Sequence, residues 1–195
     1  MAADTKNRIL DAALDMMADK GYDATNIREL SQALGLSKAA MYRHFTGKED
    51  LFRALIERTQ DYYRAHMDAF REQPMPATAG ELIEMTLRMV DFTVHDTRII
   101  KVRRLLLTEQ FHSETVRNLA TRYFLTGMEE QYTPVFAAMT QSGVLKKADP
   151  AMLAFAYTSP ITALIHLCDR EPEKEREILS RVSDWINFFI ESYQA

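Results

Sequence analysis

Residues 25–48 read TNIRELSQALGLSKAAMYRHFTGK, and within them Lys38, Ala39, Tyr42 and Arg43 recur at helical spacing with His44 at their edge. This set of side chains suits a nucleic-acid duplex. Lys and Arg pair with phosphates or guanine edges, a Tyr hydroxyl reaches a phosphate, and small Ala side chains allow close approach to a base or contact with a thymine methyl. Four basic residues, Arg28, Lys38, Arg43 and Lys48, stand in residues 26–48 against one acid, Glu29, while the whole chain carries −4 at pH 7. Positive charge is therefore a local footprint on an acidic protein, not a general affinity for polyanions.

Other chemistries find little support. The five histidines are His44, His66, His95, His112 and His166, and no two have the i, i+4 spacing of a helical zinc site. His166 and Cys168, two apart, lie about 200° round a helix, which disfavours joint ligation. There is no glycine-rich phosphate loop, Gly-x-Ser-x-Gly elbow or dinucleotide fingerprint. The reading is no metal, no cofactor and no catalytic residue.

Two short helices must carry the basic set. Thr25 and Asn26 offer oxygens to the open amides of a new helix, on which Ile27, Leu30 and Leu34 recur along one face. Gly35 tolerates the left-handed conformation that ends a helix, and Ser37 caps the next, so the chain turns within about three residues. Met41 and Phe45 then face inward with Leu36, and Ala33 and Ala40 allow the helices to cross closely. On spacing alone this is either a DNA-reading helix-turn-helix or an ordinary helical hairpin.

Resemblance separates the two. The run GYDATNIRELSQALGLSKAAMYRHFTGKEDL, preceded by TKNRILDAALDMMADK, resembles the amino-terminal domain of the TetR family of transcriptional regulators. Gly21, Tyr22, Thr25, Leu30, Gly35, Ser37, Tyr42, Phe45, Lys48 and Leu51 carry the likeness, over about the first quarter of the chain. The resemblance implies that Thr25 and Lys48 hold phosphates and that Arg28 projects toward the groove. It also implies that Ser37, Lys38, Tyr42 and His44 contact backbone or base edges. Ala39 and Ala40 stand where many members carry Gly and Thr, so direct readout here leans on Arg28, Lys38 and apolar contacts.

The rest of the chain reads as helix. At 195 residues and 47% apolar it can bury a core in one or two domains, and few of its residues are Gly or Pro. The expected class is all-α: a three-helix reader over residues 1–47, then a larger helical domain over 48–195. Helix one spans about 5–20, with Ile9, Ala13, Met16 and Met17 on its covering face. A long helix from about 48 to 71 (Leu51, Leu55, Tyr62, Met67 and Phe70 near one side) begins against DNA and acts as a lever, stopped by Pro74 and Pro76. Patterns at 79–95 and 97–111 follow, the second capped by Asp96. One helix is expected over 113–141, capped by Ser113 and kinked near Gln131 by Pro134. Another opens at Asp149-Pro150 with a kink at Pro160, and a last one runs over 173–193.

Residues 151–168 lack any charge and nearly reach the spanning length of about 20, but Thr158, Ser159, Pro160, Thr162 and His166 favour a buried subunit contact over a membrane. One cysteine excludes an internal disulfide framework, and no secretory leader precedes residue 10; both fit the cytoplasm. Reading a pseudo-palindrome needs two copies about 34 Å apart, so a homodimer is expected. Phe155, Ile161 and Leu164 with Ile178, Val182, Trp185, Ile186 and Phe189 are its candidate interface, or else monomer core. Met85, Met89, Phe92, Tyr123, Phe124, Met128 and Tyr132 are candidates to line a cavity for a small effector of unknown identity, with His95, Arg103, Arg104, Glu109 or His112 to orient its polar group. The expected partners are thus double-stranded operator DNA, a second copy and a small apolar or amphipathic molecule. The alternatives are a DNA-binding protein answering to a protein partner, and a helical enzyme or carrier.

Overall fold

The computed structural model of the chain describes residues 2–72, 74–112 and 114–195, with the backbone alone at Ala2, Ala3, Phe70, Arg71 and Thr115. Among the described residues ten α-helices follow in order: α1 Ala2–Lys20, α2 Ile27–Ala33, α3 Lys38–Tyr42, α4 Lys48–Arg71, α5 Ala79–His95, α6 Thr97–Glu109, α7 Glu114–Thr121, α8 Gly127–Gln141, α9 Pro150–Arg170 and α10 Glu175–Tyr193. A π-helical segment, Arg122–Thr126, joins α7 to α8, and a short 3-10 turn, Pro172–Lys174, precedes α10. Among the described residues no strand forms beyond one isolated antiparallel bridge, Leu145 to Gln194. The all-α expectation is met. The cap expected at Ser113 and the side chain of Phe70 lie outside the described residues.

The chain divides into two compact units, residues 1–73 with 101–113, and residues 74–100 with 114–195. This division falls elsewhere than the functional boundary expected at 47/48. In the first unit α4 packs along α1: Leu51, Leu55 and Ile56 are buried, as are Ile9, Leu10, Ala13, Leu14 and Met17 of α1. Arg58 of α4 donates to Asp11 at 2.7 Å and to the carbonyl of Asn7 at 3.0 Å. Lys101 of α6 pairs with Asp15 of α1 at 2.5 Å. A three-helix reader has too little core of its own, and α4 supplies the remainder.

In the second unit α8, α9 and α10 pack around Tyr132, Phe136, Tyr157 and Phe189, whose ring centroids lie 4.8 to 6.2 Å apart. One polar group sits among them. Thr86 of α5 gives its only hydroxyl hydrogen to the carbonyl of Leu82, so it accepts from both Tyr157 at 2.8 Å and Tyr132 at 3.2 Å. Burial pushes the Tyr157 hydroxyl far above its ordinary pKa, so it remains a donor. Helix α9 is long and apolar enough to cross a bilayer by length and composition, but Leu153, Ala154, Tyr157, Thr158, Ile161 and Ile165 are buried in this unit.

Two expectations are corrected. The helix expected over 113–141 is interrupted by the π-helical residues 122–126, while Pro134 and Pro160 lie inside α8 and α9. Gly127 is the cause. Its amide donates to the Arg122 carbonyl five residues back, and a Cβ there would stand 2.6 Å from that oxygen. Only glycine fits so tight an approach. Second, Ile161, Ile178, Val182, Ile186 and Phe189, candidates for a subunit contact, are all buried within the single chain. The apolar stripe of α10 is spent on its own core. What α9 and α10 leave outward is Met152, Phe155 and Phe188, which are 60%, 43% and 59% exposed.

His95, at the end of α5, stands 2.9 Å from Asp91 and 3.3 Å from Glu175 at the start of α10. The Glu175 bond, and then Asp91, raise its pKa above the ordinary 6.5 against opposing desolvation. A raised folded pKa means the pairing contributes fully below pH about 6.5 and fades as pH rises through the folded value. The site is half-exposed, so the contribution stays below about 1 kcal/mol. Melting wild type beside His95→Gln from pH 5 upward is expected to show a gap that is widest in acid and closes above neutrality; a gap that widens with pH would contradict this.

Candidate nucleic-acid interface

The turn between α2 and α3 is built from local signals. Asn26 takes the amide of Glu29 at 2.8 Å and Ser37 takes that of Ala40 at 3.1 Å, so each helix begins on its own capping side chain. Gly35 adopts φ +65°, and the amide of Leu36 donates to the Ser31 carbonyl at 2.8 Å, closing the bend. Leu30, Met41 and Phe45 are buried beneath it. That leaves Lys38, Ala39, Tyr42 and Arg43 exposed on α3 and just past it, with Ala40 and His44 half-buried. Lys38 places its ammonium 5.8 Å from the Tyr42 ring centre, so two of the expected contacts travel together. Arg28 is exposed on α2.

Two expected phosphate ligands differ from the rest. Thr25 is 1% exposed and its hydroxyl donates to the Gly21 carbonyl at 2.9 Å. Its side chain therefore cannot reach a phosphate, and the expectation is corrected: Thr25 closes the α1–α2 turn. Lys48 opens α4 and donates to the carbonyls of Tyr22 at 2.8 Å and Asp23 at 3.1 Å, with its ammonium 4.3 Å from the centre of the Tyr22 ring. An ammonium has three hydrogens, so one remains for DNA.

One supporting residue escaped the sequence reading and another was expected in a different role. Asp50 accepts the amide of Thr46 at 2.9 Å and its hydroxyl at 3.2 Å, which caps the start of α4 and, with Arg53, holds the Asp50 carboxyl below its usual range. Thr46 and Asp50 are four apart, one more than the spacing of a capping box, so the pair carries no standard sequence signature. Glu109 and His112, expected among groups that orient an effector, instead sit at the end of α6 beside the reader: buried Glu109 accepts the amide of Tyr22 at 3.1 Å and lies 3.5 Å from His112. No local pattern announces a bond across 87 residues. Of the candidate cavity residues, Met89, Tyr123 and Tyr132 are buried and Met85, Phe92, Phe124 and Met128 half-buried. Tyr123 and Phe124 lie in the π-helical segment, and Phe124 meets the His166 ring edge-on at 4.6 Å.

A helix-turn-helix presenting basic and aromatic side chains from a short third helix, ahead of a larger all-helical unit, defines a DNA-binding transcriptional regulator. Residues 9–55 match the profile of the bacterial regulatory proteins of the tetR family. The HTH-type transcriptional regulator YvkB of Bacillus subtilis (strain 168) is 26% identical over 170 residues, covering 85% of this chain and 86% of that protein. The HTH-type transcriptional regulator RutR of Escherichia coli (strain K12) is 25% identical over 184 residues, covering 94% and 82%. Among solved structures the fold is shared with the SmeT–triclosan complex, at TM-score 0.75 and 19% identity over 98% of this chain and 92% of that one; SmeT is the repressor of the Stenotrophomonas maltophilia multidrug efflux pump SmeDEF. Residues 9–55 thus carry a DNA-binding region of the TetR type, and the relatives that match over most of the chain are HTH-type transcriptional regulators.

Proposed function

We propose that the chain is a cytoplasmic homodimeric repressor that leaves a palindromic operator when a small apolar or amphipathic effector binds. Residues 1–47 read DNA, and residues 48–195 pair the protomers and take the effector. The observation that carries this is the exposed set Arg28, Lys38, Ala39, Tyr42 and Arg43 on a capped helix-turn-helix, with Ser37, Ala40, His44 and Lys48 at its margins. Thr25 supports the turn from inside. The ligand half of the reading is supported by the shared fold of SmeT, solved with triclosan, and by Met85, Met89, Phe92, Tyr123, Phe124, Met128 and Tyr132 in the second unit. An effector that favours the conformation with mis-spaced readers weakens DNA binding by its own differential affinity, typically about 1 to 3 kcal/mol.

Selection from a pool of random duplexes with the purified chain tests the DNA half. The expected product is a pseudo-palindrome with half-sites about one helical turn apart; recovery of unrelated sequences would overturn it. Arg28→Ala is expected to lose about 1 to 3 kcal/mol against the selected site but far less against mixed sequence, giving a relaxed consensus on reselection. Titration of the selected duplex against a series of small phenols and amphiphiles tests the effector half, and identical operator affinity throughout would refute it.

A further inference from the structure

We propose that Glu109 is a positioning residue for DNA binding, acting through Tyr22 to aim the ammonium of Lys48 at a phosphate; this rests on the reading of Lys48 as a phosphate contact given above. Glu109 ends α6 and is only 7% exposed. A buried carboxylate is costly unless its oxygens are satisfied, and an apolar residue would fill the same space more cheaply. One oxygen of Glu109 accepts the backbone amide of Tyr22 at 3.1 Å, and the other lies 3.5 Å from His112 Nδ1. The Tyr22 amide follows Gly21, whose φ of +85° would set a side chain's Cβ 3.5 Å from the same Glu109 oxygen, so the turn runs close beside the carboxylate.

The Tyr22 carbonyl, on the next peptide group, accepts the Thr25 amide at 3.1 Å and the Lys48 ammonium at 2.8 Å. The Tyr22 ring packs on Phe52 at 4.7 Å and beneath the Lys48 ammonium. Tyr22 is therefore held by its amide from α6, by its carbonyl from α4 and by its ring from both Lys48 and Phe52. Because Lys48 spends two hydrogens on carbonyls 22 and 23, the direction of its third is set by where those carbonyls stand. Glu109 sets that by fixing the peptide immediately before them. Remove the carboxylate and the turn gains freedom, so Lys48 keeps its charge but loses its aim.

The test measures affinity for a mixed-sequence duplex across a salt series, using the full chain. Lys48→Ala is expected to flatten the slope of log affinity against log salt by about one unit. Glu109→Ala should reproduce most of that change, and the double variant should be no worse than Lys48→Ala. Glu109→Gln retains an oxygen for the Tyr22 amide and should restore the slope. Glu109→Asp retains the charge but is one methylene too short, and should not. Amide exchange at Tyr22 should quicken in Glu109→Ala and Glu109→Asp alone. If Glu109→Ala does not fold, the Gln and Asp pair decides. A wild-type slope in Glu109→Asp, or additive losses in the double variant, would overturn the proposal while leaving Lys48 as a contact. An unchanged slope in Lys48→Ala would instead sink the reading beneath it, and the proposal with it.

Discussion

Gly127→Ala is expected to lower the melting midpoint by about 5 °C, corresponding to a net loss of about 2 kcal/mol. The sign is the informative part. In an ordinary helical turn the same change stabilises by up to about 1 kcal/mol, because alanine loses less backbone freedom on folding. Here the new methyl would stand 2.6 Å from the Arg122 carbonyl oxygen, a backbone atom that cannot rotate away. Either the five-residue hydrogen bond opens or the π-helical segment relaxes to α geometry and turns Tyr123 and Phe124 to a new register. Gly80→Ala is the control: its nearest neighbour would be the Thr78 hydroxyl at 3.9 Å, an ordinary contact, so it should be neutral or slightly stabilising. Calorimetry on both variants checks the pair, and an equal or higher midpoint for Gly127→Ala would show that the segment tolerates a side chain.

The second large effect is expected at Phe188. This side chain is 59% exposed on α10, and Met152 and Phe155 are exposed on α9, so these are apolar groups that the proposed homodimer would cover. Phe188→Asp places a charge where a second copy would have to dry it. The protein should elute as a monomer, and binding to a two-half-site operator should fall by about 10² to 10⁴, the advantage lost when two readers no longer act together. Melting should change little, because the residue is outside the core. Ile186→Ala, on the same helix but wholly buried, should do the opposite: about 2 to 5 kcal/mol of stability lost, with the dimer retained wherever the chain folds. A Phe188→Asp dimer with wild-type operator affinity would place the pairing surface elsewhere.

These contrasts also show what the sequence could and could not carry. The helix-turn-helix was legible because its signals are local: Asn26 and Ser37 each bond an amide three residues ahead, and Gly35 turns on its own backbone freedom. Asp96 likewise caps α6 through the amides of Arg98 and Ile99, as its position announced. The stripe Ile178, Val182, Ile186 and Phe189 was visible as a stripe, but periodicity reports an apolar face without saying whether the chain itself or a second copy covers it. Thr25 and Glu109 were misassigned for a related reason. A threonine before a helix and an acid at a helix end look solvent-facing, yet Thr25 is buried with its hydroxyl on Gly21 and Glu109 is buried on an amide 87 residues away. A kink was expected from Pro134, which lacks an amide, whereas the interruption at residues 122–126 rests on Gly127, which allows an approach no other residue fits. Proline marks a missing bond; glycine permits an extra one, and that is harder to read.

Trp185 is the only tryptophan in the chain. Its indole nitrogen donates to the Tyr157 carbonyl at 3.0 Å, and its ring lies 5.8 Å from that of Phe188 and 6.2 Å from that of Phe189. Selectively excited indole emission from this protein thus originates at a single place, where α9 meets α10. It is a built-in optical reporter of that junction, placed to respond to whatever approaches Phe188 without any label.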